Sequence, residues 1–150
     1  MKEAYMKTSK TITSILVLLC LSISTSCNFG PPPSCGENIG GTANNEVFSQ
    51  YFTDMALLDQ TTGQSGTSGE NGLEFQKGNK LEIQYVAISE VTLRACIQPL
   101  GGGSTIAFDQ SKDLSVGQGQ FTLVSFQSGN YVIRVIVNNT LVKNFPFSIK

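Results

Sequence analysis

The chain contains no histidine. That absence removes both the Ser-His-Asp and the Cys-His routes to nucleophilic catalysis, because each needs an imidazole to take the proton from the nucleophile. It also removes the commonest ligand of transition metals, and the cysteine spacings fit no zinc pattern, so neither a metal site nor a cofactor is expected. Charge is scarce too, at 14% of residues. From Cys27 onward seven basic residues (Lys77, Lys80, Arg94, Lys112, Arg134, Lys143 and Lys150) stand against ten acidic ones, a net charge of −3 with no basic cluster. Such a chain gains little from neutralising phosphates and releasing counterions, so nucleic acid is not an expected partner. The strand-like segments lack helical crossovers between them, which argues against a parallel sheet. What chemistry remains would have to run on carboxylates. Asp109 and Asp113 are the nearest pair, in a stretch shared with Lys112 that reads as a solvated turn.

The N-terminal residues carry the strongest signal. Lys7 and Lys10 precede an apolar run over residues 12–23, broken only by Thr13, Ser14 and Ser22, and small polar residues then lead into Cys27. A basic end, an apolar centre and a small-residue exit define a secretory leader, and the run is short of the ~20 residues of a permanent span. Starting at Met6 would remove Glu3 and leave a purely basic first region. Ile23-Ser24-Thr25-Ser26-Cys27 resembles the lipobox of bacterial lipoproteins, although Ser24 stands where an apolar residue is usual. The resemblance implies that Cys27 receives a diacylglycerol and becomes the new N-terminus. The alternative is an ordinary leader cut near Ser26, with Cys27 left as a free thiol. Cys20, inside the apolar run, is lost in either case.

Cys35 and Cys96 then remain, an even number, as an oxidising compartment predicts. A bridge between them would close a long loop and contribute about 4 kcal/mol by the chain-entropy model. Two separate thiols are the alternative. Phe29-Gly30-Pro31-Pro32-Pro33, Gly36 and Gly40-Gly41 deny regular structure before residue 46 and read as a tether. The chain thus divides into a leader over 1–26, a lipidated N-terminus and Pro/Gly-rich tether over 27–45, and a domain over 46–150. The 124 residues from Cys27 suffice for a core that is stable as a monomer.

Period-two alternation governs the domain. Leu81, Ile83, Tyr85 and Ala87 alternate with polar residues, and Val91, Leu93, Ala95 and Ile97 repeat the pattern, placing Cys96 on the face away from the core. Residues 101–103 are three glycines, a flexible connector lacking the lysine and helix of a phosphate-binding loop. Weaker strands are expected over 104–109 and 121–126. Gly129-Asn130 opens a strand through Tyr131, Ile133, Val135 and Val137, and Asn138-Asn139 suits a tight primed turn. The return strand carries Leu141, Phe145, Phe147 and Ile149 on one face, interrupted by Lys143, and Pro146 marks it as an edge. Val132, Arg134 and Ile136 form its neighbour's outward face, a candidate contact surface. Residues 47–58 show helical spacing through Val47, Phe48 and Tyr51, with a strand expected from about Thr53, and residues 61–71 read as a mobile loop.

These features predict an all-β, antiparallel β-sandwich. Leu58-Asp59, Phe75-Gln76-Lys77-Gly78-Asn79 and Gly129-Asn130-Tyr131 further resemble an immunoglobulin-like domain of uncharacterised bacterial lipoproteins, over about residues 52–150. The resemblance implies about seven strands, a first strand over 52–59 and a fold that fixes no activity. Tyr131, near the start of its strand, is placed to act as a tyrosine corner. The expected function is that of a lipid-anchored protein of the bacterial cell envelope, on the outer membrane or cell surface and facing periplasm or exterior. Its sandwich would serve as a non-catalytic interaction or adhesion module for an envelope protein or glycan. A rival is small-ligand or glycan binding by the loops 61–71 and 99–104, and a carboxylate hydrolase using Asp109 and Asp113 comes third.

Overall fold

The computed structural model describes Cys35, residues 41–100 and residues 107–150. The leader, Cys27, most of the tether and the glycines at 101–103 lie outside the described residues. The described chain starts its regular structure with a helix, α1 (Asn45–Tyr51), whose N-cap Asn44 accepts a hydrogen bond from Val47 N at 3.0 Å. Val47, Phe48 and Tyr51 lie on the helix face that packs against the core. The helical spacing read from the sequence therefore belongs to these two turns, and the chain changes to strand at Phe52.

Nine strands follow: β1 (Phe52–Asp59), β2 (Thr67–Gly69), β3 (Gly72–Phe75), β4 (Leu81–Ala87), β5 (Val91–Pro99), β6 (Phe108–Leu114), β7 (Gly117–Thr122), β8 (Gly129–Val137) and β9 (Thr140–Ile149). They form a three-stranded sheet, β1-β4-β7, and a six-stranded sheet, β2-β3-β9-β8-β5-β6. With the β2–β3 hairpin set aside, the seven strands that remain alternate between sheets as A-B-E facing G-F-C-C′, the alternation of an immunoglobulin-like sandwich. Leu57, Ile83 and Phe121 from one sheet meet Leu93, Ile133 and Phe147 from the other in a single core. Full burial of side chains this size stabilises by about 1.5–3 kcal/mol each.

Five expectations need correction. Residues 61–71 are not simply a loop: Leu58 bridges to Ser65, and Thr67–Gly69 pairs with β3 as a hairpin that extends the larger sheet. The strand expected over 104–109 lies instead at β6, and the one expected over 121–126 starts earlier, as β7. Periodicity misses both, because β6 is exposed between Phe108 and Leu114 and β7 is largely Gly and Gln. Pro146 does not mark β9 as an edge throughout, since β3 joins it in parallel from Phe147 onward. Finally, Leu141 does not share the face of Phe145. A bulge skips Val142 in the β8–β9 register, turning Val142 into the core and Leu141 outward. Lys143 then lies 5.4 Å from the Phe48 ring centroid and 5.8 Å from that of Phe145, covering their faces with its ammonium.

Two of the motifs behind the resemblance meet in space. Asp59, only 5% exposed, accepts hydrogen bonds from the backbone N–H of Thr61 at 2.7 Å and Thr62 at 3.2 Å, and from the Asn79 amide. The end of β1 and the entry to β4 are thereby tied together. Tyr131 Oη donates to Gln127 O at 3.0 Å, four residues upstream, in the geometry of a tyrosine corner. Its ring stacks on Phe147 with centroids 5.3 Å apart, and Gly129 has a φ of 155° against it.

Candidate functional site

Cys35 and Cys96 are joined as a disulfide with Cα atoms 5.7 Å apart, within the normal range, across 61 residues. Alternation along β5 puts Cys96 on the outer face of the six-stranded sheet, and there the bridge, Ile136 and Leu141 make a second small buried cluster. Ile136 is consequently no part of an outward contact surface: it is 2% exposed beneath the disulfide segment. The same segment continues along β9, where Asn144 Nδ2 donates to Gly41 O at 2.9 Å and Asn44 N donates to Leu141 O at 2.8 Å.

The proposed carboxylate pair is not assembled. Asp109 and Asp113 lie on β6 rather than in a turn, four residues and so about 13 Å apart along the strand. Arg94 holds Asp109 through two hydrogen bonds, Nε to Oδ1 at 2.7 Å and Nη2 to Oδ2 at 2.6 Å, and those bonds push the guanidinium pKa still higher. Asp113 instead accepts from Thr92 Oγ1 at 2.6 Å. Among the described residues no group of three or more cysteines and carboxylates is placed to hold a metal ion, and no helix is long and apolar enough to cross a membrane. Of the two loops read as a ligand site, 61–71 is partly strand and 101–104 lies outside the described residues.

The features that do converge are at the opposite end of the sandwich. There the end of α1, the β4–β5 turn, the β6–β7 turn and the β8–β9 turn border an open notch of about 580 Å³. Tyr51, Glu90, Thr92, Asp113, Ser115 and Asn138 line it. The β8–β9 turn is held by Asn138 and Asn139, whose φ values of 48° and 59° define a two-residue primed turn. Asn138 Nδ2 donates to Tyr51 Oη at 2.9 Å, fixing the turn to the helix, and Ile88 N donates to Tyr51 O at 2.8 Å. The notch has hydroxyl, amide and carboxylate groups and no basic side chain among those that line it, so it favours hydroxyl and amine donors. Two exposed apolar residues lie at the same end of the sandwich, Ile88 at 46% and Val116 at 62%, next to the paired Ala87 and Gly117.

A second shallow groove, about 400 Å³, follows the outer face of the three-stranded sheet past Asp54, Gln84, Gln118 and Gln120. Beneath it Tyr85 points into the core, where burial raises its phenol pKa, and its ring fills the space a side chain at Gly119 would need. No periodic signal in the sequence marks the notch, since its residues come from the end of α1 and three separate turns. The usable clue was the turn chemistry of Ser89, Ser115 and Asn138-Asn139.

No protein-family model matches this chain, and no curated protein is significantly similar to it in sequence.

Proposed function

We propose that this chain is an exported cell-envelope protein, held to a bacterial membrane by a lipid on Cys27, whose sandwich is a non-catalytic interaction module working through the Ile88–Val116 end. The Cys35–Cys96 pairing carries the reading. Disulfides persist in oxidising compartments, and this one occupies both cysteines that follow Cys27, leaving that residue as the acceptor for a lipid. Only seven residues lie between Cys27 and Cys35, at most ~28 Å of chain from one to the other, so the domain is held close to the headgroups. An open notch with exposed apolar residues at the same end suits a macromolecular surface better than a small molecule, which is normally enclosed over most of its area.

Intact mass measurement of membrane-extracted protein, with and without reduction, tests the anchor and the bridge together. The expected masses are those of an acylated chain lacking residues 1–26, rising by two hydrogens on reduction. A soluble, unmodified thiol at Cys27 would refute the anchor. For the interaction end, Ile88→Ser with Val116→Ser should abolish capture of an envelope partner while leaving the melting temperature within about 2 °C of the parent.

The acceptors Glu90, Asp113 and Asn138 support a second reading, a glycan held in the notch. Under it, an oligosaccharide probe would raise the melting temperature of the parent, and Glu90→Ala would erase that rise.

A further inference from the structure

The strand edges of the described structure are defended unequally. β6 carries three charged residues, Asp109, Lys112 and Asp113. On β1, Met55 N donates to Asp54 Oδ1 at 2.8 Å and Asp59 N donates to Gln64 O at 2.9 Å, so open-edge donors are already taken. β2 has three residues. β7 carries no charge of its own: no charged residue occurs from Leu114 to Ile133, and Val116 and Val124, 62% and 45% exposed, flank the strand. Leu123 N donates to Leu81 O at 2.8 Å, which fixes the phase of the β4–β7 ladder. The odd-numbered residues of β7 bond to β4, and the backbone groups of Gln118, Gln120 and Thr122 face the open side. Only the Lys112 ammonium reaches across, to Gln120 O at 2.9 Å. An edge whose own side chains are uncharged and which one lysine covers at a single carbonyl can recruit another strand.

We infer that β7 pairs with β7 of a second copy, antiparallel about a two-fold axis through Gly119, joining two three-stranded sheets into one of six. The sequence Gly117-Gln118-Gly119-Gln120 complements itself in this register. Gln118 faces Gln120 of the second copy and exchanges two backbone hydrogen bonds with it, and the symmetric pair does the same. The glutamine side chains, exposed on the outer face, meet their counterparts amide to amide. Gly119 falls at the close, non-hydrogen-bonded position on the axis, where the missing side chain permits approach. Its inner side is already filled by the ring of Tyr85. A foreign strand would match this edge no better. The axis also lies normal to the sheets, so both copies carry Cys35 on the same side. Two lipid tethers would then reach one membrane, a point that rests on the anchor reading, whereas the pairing itself does not. Core size alone allows a monomer, but it does not account for the bare edge.

Sedimentation equilibrium of the full chain, expressed with its leader and extracted in mild detergent, tests the pairing up to about 100 µM. A dimer is expected. Gln118→Lys with Gln120→Lys sets lysine against lysine and should weaken dimerisation about tenfold or more. Gln118→Lys with Gln120→Glu sets lysine against glutamate in the same register and should restore it, while Lys112→Ala, which frees the Gln120 carbonyl, should tighten it. A parent that stays monomeric, or a dimer that all three variants leave unchanged, would overturn the inference. So would a different protein bound to the parent and released by the double lysine variant, since the edge would then belong to a foreign strand. Acyl mass on the same sample separates the two readings: a monomer bearing lipid defeats the pairing alone, and a dimer without lipid defeats the anchor alone.

Discussion

The two sheets share one core yet differ on their outer faces. The six-stranded sheet is covered: the disulfide, Ile136 and Leu141 bury its centre, and Arg94 and Asp109 pair across β5 and β6. The three-stranded sheet is bare, with Gln84, Gln118 and Gln120 exposed over a shallow groove and an uncharged open edge. The covered face receives the N-terminal segment, and the bare face and its adjoining end stay open to solvent.

Removing the bridge is the sharpest way to break this contrast. Cys35→Ala with Cys96→Ala should cost about 4 kcal/mol, the loop-closure value for 61 residues, measured by urea unfolding against the oxidised parent. A loss well under 1 kcal/mol would mean that the N-terminal segment stays docked without the covalent link. Next comes a matched pair of truncations on the two outer faces. Ile136→Ala, beneath the bridge, should cost about 3 kcal/mol, whereas Val86→Ala, half-buried on the three-stranded sheet, should cost less than about 1 kcal/mol. Equal losses would erase the distinction. The smallest effect concerns the turn that both β8 and the notch depend on. Asn139→Ala forces an ordinary side chain to hold a φ of 59° and should cost about 1 kcal/mol, while Asn139→Gly should cost almost nothing in thermal unfolding.

The half-buried strands were legible in the sequence because one face of each is apolar. β4, β5 and β8 were found within a residue or two of their ends, and Asn138-Asn139 was read as a turn from its chemistry. The immunoglobulin-like alternation of strands was expected from the resemblance and appears in the sheet order. Alternation says nothing about strands whose two faces are both wet or both small, which is why β6 and β7 were misplaced. It also fails across a bulge: one extra residue at Val142 reverses the faces, so Leu141 was assigned to the wrong side. The pairing of Cys35 with Cys96 was open in the sequence, as no pattern of residues reveals how near two Cα atoms lie. The notch was missed for a related reason, being made where three turns meet the end of α1 and not where any one of them runs.

The position of Cys96 has a mechanical consequence. Any pull on the residues before Cys35 passes through the disulfide directly into β5, which lies between β8 and β6 in the larger sheet. The 60 residues between the two cysteines, which include α1 and β1 to β4, form a covalent side loop that carries no tension. Load therefore enters the sandwich at an internal strand held by hydrogen bonds on both sides, and the first strand cannot be peeled away from its end.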